Sequence, residues 1–510
     1  MADRLSVHRE VERKLRVAPD FPLLDLQGRG ALGHVIPRQA FDMTAVYHDT
    51  EDLRLLRWGA TLRRREGGPD EGWHLKLPVA GFDGGTRDEL HLPLWAGSTG
   101  SVPAELTDVV APLARGARLI PVAWVRTTRT PSMVLGADGV EVAELVDDLV
   151  RVQANDHRIL AEFREIEIEA RGSLEPRLID DLATILISHG AQPSSASKAA
   201  SALGPLAAAP PDITVPTIPL PQDPAREAIR YMLSGPAQGI IQADISVRRS
   251  LPNSVGQLHA ATSKFANLLR FLEPLVDAEW ARTVQYELAW LTSETGAIRE
   301  TEILAERLHA HANGIDDLGP VAALALVDDV LGIRLSGARG SVLAALRSER
   351  HELLLEDIVQ ASRNPPMTAA GEHPSATVLA PLISRDWRLL NRRARKLRKR
   401  SDGNDWDRVR LRAQRMLHAL EACSTFFPEH RTKLAKQIAR AIETLDGEHA
   451  ARDAQRVIRE MASHRASTAR TGFELGRMFE HETSYQRASR RSFIRQWPSV
   501  VQVAERSWFR

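Results

Sequence analysis

The sequence predicts an α+β chain: a closed antiparallel β-barrel with flanking helices over residues 1–200, then an all-α helical bundle of two repeats over 226–510. Three observations carry this reading. Residues 1–200 alternate with period two between the hairpin-type stretches REGGPDEG, AGFDGGTRD and LGADGV, as strands joined by tight turns require. Residues 201–225, SALGPLAAAPPDITVPTIPLPQDPA, are rich in Pro and Ala without an amphipathic period and read as a linker. From Arg226 the apolar residues recur at helical spacing, and 510 residues exceed what one core holds.

The barrel follows from where the strands put charge. In EVERKLRV, Glu10, Glu12 and Lys14 share one strand face, because side chains at i, i+2 and i+4 point the same way. Such a face is ordinarily an exposed edge, but FREIEIEA repeats the pattern with Glu165, Glu167 and Glu169 opposite Ile166 and Ile168. Like charges so close repel unless a cation lies between them. Cationic counterparts stand on other strands: Arg63 and Arg65 in TLRRRE, Lys76 beside His74 in WHLKLP, Arg87 beside Glu89 in TRDELHLPL, and Arg126 and Arg129 in VAWVRTTRT. A sheet of this kind can bury its apolar side outward under helices and close its charged side into a lumen. Lined by both signs, the lumen suits a polyanion chelated by a hard metal, with carboxylates on Mg²⁺ or Mn²⁺ and Arg and Lys on phosphate oxygens.

Bulk composition places the charge locally. Sixty-seven Lys+Arg against 66 Asp+Glu leave a net charge of +1, so an anion-binding surface must come from segregation. The single cysteine, Cys423, excludes an internal disulfide and fits a reducing cytoplasm. No run of about 18 uncharged apolar residues suggests a membrane span. No P-loop or HExxH motif occurs, and His8, His48, His74 and His91 are scattered enough to read as surface or packing residues.

These residues carry a family resemblance. EVERKLRV resembles the ExExK signature of the CYTH superfamily, the triphosphate tunnel metalloenzymes; AVYHDT, LRRR, WHLKLP, ELVDDLV, FREIEIEA and SSASKAA resemble its later strands in family order. The resemblance puts Glu10, Glu12, Glu167 and Glu169 near the metals, and Lys14, Arg63, Arg65, Lys76, Arg126 and Lys198 on phosphate oxygens. Either Asp147 or Asp148 joins the metal side, with Glu89 and Glu165 as further acids. It implies metal-dependent hydrolysis of inorganic triphosphate or a related triphosphate. Phosphoryl transfer needs positioning and charge neutralisation more than a covalent nucleophile.

In the helical half, Val255, Leu258, Thr262, Phe265, Leu269 and Leu272 form one stripe, and Ile383, Trp387, Leu390, Ala394 and Leu397 another. The second stripe leaves Arg388, Arg392, Arg395 and Lys399 as a cationic ridge, and Arg408, Arg412 and Arg415 share a side of the next helix. The gap RNPPMTAAGEHP splits the half into two sets of helices. The segment order resembles the CHAD domain, a histidine-bearing helical module linked to polyphosphate, with eroded motifs: Gly256, His259, Ser263, Lys264 and Asp407 stand where the family has His and Arg. The C-terminal segment from Phe473 mixes Arg with aromatics. Nucleic-acid contact is the less favoured outcome there, and docking of its aromatics into the bundle the preferred one. Two other functions stay open: a non-catalytic polyphosphate-binding scaffold, and a cyclase like the class IV adenylate cyclases, where the ribose hydroxyl attacks the α-phosphorus.

Overall fold

The computed structural model describes residues 6–22, 32–79, 86–136, 138–154, 158–171, 177–312, 321–427, 432–464 and 468–507. The chain divides into two compact units, Met1–Asp212 and Ile213–Arg510. The first holds strands β1 (Ser6–Val17), β2 (Leu32–Pro37), β3 (Phe41–Asp49), β4 (Thr61–Glu66), β5 (Gly72–Pro78), β6 (Thr86–Leu92), β7 (Ile120–Gly136), β8 (Glu141–Gln153), β9 (Ile159–Ala170) and β10 (Gln192–Ser194). Helices α1 (Arg54–Arg57), α2 (Ala104–Ala114), α3 (Arg177–Ser188) and α4 (Ala200–Leu203) accompany them.

The strands are antiparallel and run in the order β1-β6-β5-β4-β3-β7-β8-β9, and β9 returns to β1, closing an eight-stranded barrel. β1 makes this possible by splitting its pairing: Ser6–Val11 pair with β6, and Glu12–Val17 pair with β9. The apolar side does turn outward. Leu15, Val17, Leu145, Ile166 and Ile168 are buried with Ile179, Leu182 and Leu186 of α3, while Trp73, Leu75 and Leu77 are buried on the outer side of β5. The REGGPDEG hairpin joins β4 to β5, with Gly67 and Gly68 at φ near +80°, where L-residues are strained. LGADGV joins β7 to β8; the AGFDGGTRD turn lies, at residues 80–85, outside the described residues.

One end of the bore is stopped. Ala45, Tyr47, Ala123, Val125, Val150 and Val152 form an apolar cluster with Ala199, against which Leu203 of α4 packs. By strand parity these side chains face inward. Arg16 ties the plug down, its Nη2 donating to Ser201 Oγ at 2.9 Å and its guanidinium lying 3.5 Å from the Phe163 ring centroid. The start of the stretch read as a linker is docked on the barrel unit: Trp58 Nε1 donates to Asp212 at 2.7 Å, and Arg115 pairs with the same carboxylate.

The second unit contains α5 (Ala225–Arg248), α6 (Ser254–Leu272), α7 (Ala278–Ala312), α8 (Val321–Leu346) and α9 (Glu349–Arg363). After a loop through the RNPPMTAAGEHP stretch come α10 (Ser375–Ala394), α11 (Gly403–Cys423), α12 (Thr432–His464) and α13 (Ala469–Ser507). The two sets begin alike: Pro224 and Pro374 precede α5 and α10 and form a β-bridge with each other. Both apolar stripes are buried as the spacing predicts, except that Val255 is half-buried. Phe493 and Trp497 of α13 are buried, Trp497 stacking on Trp387 with ring centroids 5.9 Å apart. Among the described residues no helix is long and apolar enough to cross a membrane.

Candidate functional site

Strand register sets the site. Glu12 lies opposite Glu169, Lys14 opposite Glu167 and Arg16 opposite Glu165 across β1 and β9. Asp148 faces Glu165 and Glu144 faces Glu169 on β8, while Arg129 faces Asp148 on β7. On the far wall Tyr47 faces Arg63, Arg63 faces His74 and Lys76 faces Glu89. A cavity of about 660 Å³ opens between the walls, lined among others by Glu10, Lys14, Arg63, Arg65, Lys76, Glu89, Arg129, Glu167 and Glu169.

Two sequence alternatives are resolved by placement. Asp148 is fully buried and faces the lumen, whereas Asp147 pairs outside with Arg164 at 2.7 Å. Arg126 is a correction: it is exposed and lines an outer groove. Arg129, three residues on and therefore on the opposite strand face, points inward and forks onto Asp148 at 2.9 and 2.6 Å while reaching Glu167 at 2.8 Å. Arg87, Glu144 and Arg171 also line the cavity. Glu144 shares strand parity with Asp148, so the signal for it was present in ELVDDLV.

Deep in the bore, acids and bases compensate each other. Lys198 Nζ lies 3.0 Å from Asp148, 2.7 Å from Glu165 and 2.8 Å from Glu167. Those three carboxylates lie close enough to hold a metal ion, and the ammonium occupies their centre. Burial would lower the Lys198 pKa, but the three carboxylates hold it well above its ordinary value; burial would raise Glu167, and Lys198, Lys14 and Arg129 hold it far below. Lys14 bridges Glu12 at 3.1 Å and Glu167 at 3.3 Å, and Lys76 sits on Glu10.

Elsewhere in the cavity the balance is less complete on both walls. Glu169 is pushed up to about 7, by burial and then by the Glu10 carboxylate. Across from it, the Arg63 guanidinium has no carboxylate within ion-pair distance among the described residues. Its Nη1 donates to the Tyr47 hydroxyl at 3.3 Å, and its buried Nε has no partner among those residues. Arg65 donates to the Asp70 carbonyl at 2.8 Å and pairs with that carboxylate; burial and then Arg63 pull its pKa down to about 10. Glu89 lies well below the usual carboxylate range: burial opposes this, but Lys76, the His74 hydrogen bond and Arg63 outweigh it.

In the helical unit, Arg388, Arg392, Arg395, Lys399 and Arg408 are exposed, Arg408 pairing with Asp405 at 3.0 Å. Arg412 and Arg415 are gathered instead. Burial lowers both pKa values, with Arg393 and Arg270 adding to it at Arg412, and Arg412, Arg270 and Arg385 at Arg415; Asp386 alone opposes. At the eroded second-repeat position Asp407 is bound internally, 2.8 Å from His449 and 2.6 Å from Arg452. In the first repeat His259 bonds Thr295 at 3.1 Å and Lys264 reaches Glu421 at 3.4 Å.

Comparison with known proteins matches a CYTH domain at residues 8–202 and a CHAD domain at 237–460. Two Mycobacterium tuberculosis proteins, "Uncharacterized protein MT2285" and "Uncharacterized protein Rv2226", are each 31% identical over 471 residues, spanning 88% of this chain and 87% of theirs. Among solved structures, PptA from Streptomyces chartreusis is 19% identical with a TM-score of 0.48, covering 54% of this chain and 100% of its own. The CHAD domain of Ricinus communis is 19% identical with a TM-score of 0.43, over 56% of this chain and 96% of its own. With both domains matched in order and the relatives aligned over most of their length, the chain belongs to the CYTH–CHAD family, in which a metal-dependent triphosphate-tunnel domain precedes a CHAD domain.

Proposed function

We propose that the barrel hydrolyses inorganic triphosphate or a related triphosphate with Mg²⁺ or Mn²⁺. The observation that carries this is Arg63, a guanidinium aimed into an enclosed cavity without a carboxylate partner. A half-buried cation in that state is stabilised by an anion from outside. Arg63 and Arg65 offer forks and Lys76 and Lys14 point charges, so adjacent phosphoryl groups can be gripped and oriented at once.

Glu10, Glu12 and Glu169 fit a hard divalent ion: they supply carboxylate oxygens only, and their crowding at Glu169 is the repulsion such an ion relieves. When bound, that ion would supply neutralisation of phosphate charge and a lowered pKa for the attacking water. Glu167, Asp148 and Glu165 are held more fully, by Lys198, Lys14 and Arg129 together, whereas Glu10, Glu12 and Glu169 pair with Lys76, Lys14 and Arg171. The pairs Lys76–Glu10 and Lys14–Glu12 suit an exchange: each base turns to a phosphate oxygen as its acid turns to the metal, so no charge is left buried alone.

For the helical unit, the same reading assigns polyphosphate binding to Arg270, Arg385, Arg393, Arg412 and Arg415. Their mutual repulsion around Asp386 supports an anion there.

The test incubates the protein with triphosphate, ATP and long-chain polyphosphate with Mg²⁺ or Mn²⁺ and resolves the products. Orthophosphate from triphosphate, lost in Glu12→Gln, supports hydrolysis. Cyclic AMP and pyrophosphate from ATP would mean cyclisation, and metal-dependent binding without product would mean a scaffold.

A further inference from the structure

Three side chains that line the same cavity as the proposed phosphate site take no part in gripping phosphate. Asp70, in the β4–β5 hairpin, His74 on β5 and His91 on β6 each place a ligand atom within 4.8 Å of the others. His91 Nε2 lies 3.9 Å from Asp70 Oδ1, and the two imidazole centroids are 4.8 Å apart. We propose that Asp70, His74 and His91 form a second metal site, selective for a borderline transition-metal ion such as Zn²⁺ and separate from the all-carboxylate site on β1 and β9.

Three features support it. The donor set is two imidazoles and a carboxylate, which suits Zn²⁺ rather than Mg²⁺. His74 already has the outer contact of a metal-bound histidine: its Nδ1 lies 2.9 Å from Glu89 Oε1, which fixes ring orientation and turns Nε2 toward the cluster. That Nε2 meets the Asp70 carbonyl at 3.2 Å. His74 is buried, and both of its ring nitrogens face acceptor oxygens, Glu89 Oε1 and the Asp70 carbonyl. A metal ion beside Nε2 would take the lone pair of that nitrogen while Nδ1–H donates to Glu89.

The backbone leaves room for the third ligand. A Cβ at Gly72 would stand 2.3 Å from His91 Nε2, so only glycine admits the imidazole in this position. Zinc bonds of about 2.0–2.2 Å require the three ligands to close slightly; Asp70 is exposed, and its hairpin carries two glycines. Arg65 competes, since it holds the Asp70 carboxylate. Metal binding would draw that carboxylate away and pin the hairpin to β5 and β6.

The test uses the full chain stripped of metal, with Zn²⁺ as the probe in excess Mg²⁺ against a chromophoric chelator. One Zn²⁺ per chain is expected, weakened at least tenfold by His91→Ala and by Asp70→Asn and unchanged by Glu12→Gln. In the unaltered protein, Zn²⁺ should shield His91 from diethyl pyrocarbonate, read by mass spectrometry, which keeps the test independent of variant folding. Absence of Zn²⁺ binding, binding lost in Glu12→Gln instead, unaltered affinity in the His91 and Asp70 variants, or His91 modified equally with and without Zn²⁺ would each overturn the site.

Discussion

Arg63, half-buried, and Lys198, buried, are cations in one bore, yet removing them should have opposite consequences. Arg63 has a Tyr47 hydroxyl at 3.3 Å and no carboxylate partner, so Arg63→Ala should change folding stability by no more than about 1 kcal/mol. Its cost should fall on the bound phosphate: a hydrogen bond to a charged group contributes roughly 1.5–3 kcal/mol, which at about 1.4 kcal/mol per decade is about a 10- to 150-fold loss in kcat/KM. Arg63→Lys keeps the charge but loses the fork and should fall between. Lys198 touches three carboxylates within 3.0 Å, so Lys198→Ala strands buried negative charge and should destabilise by about 3–5 kcal/mol. Urea unfolding monitored by circular dichroism and orthophosphate release from triphosphate separate the two effects. Equal destabilisation by both variants, or an Arg63→Ala protein with unimpaired kcat/KM, would refute the assignment of Arg63 to the anion.

Glu169 predicts a pH dependence. Its carboxyl holds a proton in the metal-free fold up to about pH 7, so Mn²⁺ affinity measured by electron paramagnetic resonance should rise up to about tenfold per pH unit below 7 and level off above it, and Glu169→Gln should remove the step. By the same linkage the folded protein binds the extra proton, so metal-free stability should fall as pH rises from the ordinary carboxylate range through 7. Polyphosphate affinity should drop with salt, and Arg412→Ala with Arg415→Ala should flatten the log–log slope by about 0.7–0.9 for each phosphate no longer neutralised, while Arg388→Ala and Arg392→Ala should barely alter it. Gly72→Ala should lower the melting temperature, because its Cβ would meet Leu92 O at 2.5 Å as well as the His91 ring.

The barrel was legible because its strands carry charge on one side and Ile, Leu and Val on the other, a pattern that survives without knowing which strands pair. Parity also placed Glu165, Glu167 and Glu169 on one face. It failed where two candidates sit an odd number of residues apart: Arg126 against Arg129, and Asp147 against Asp148, point to opposite sides, and only the register of β7 and β8 decides between them. The bore's compensation by Lys198 was not legible, since it depends on a residue 31 positions beyond Glu167 returning to the end of the barrel. Helix spacing marks which arginines are exposed, as along the Arg388–Lys399 ridge, but not which are gathered, since Arg270 with Arg412 and Arg415 come from helices far apart in sequence.

A stoppered cylinder imposes a direction of traffic. On the proposed reading, with Val125, Val150 and Val152 packed beneath Ala199 and no opening at that end among the described residues, a chain of phosphoryl units would enter end first and release each fragment by the route it came. Cleavage would then be confined to termini, and a ring-shaped metaphosphate, having no terminus to offer, would be refused.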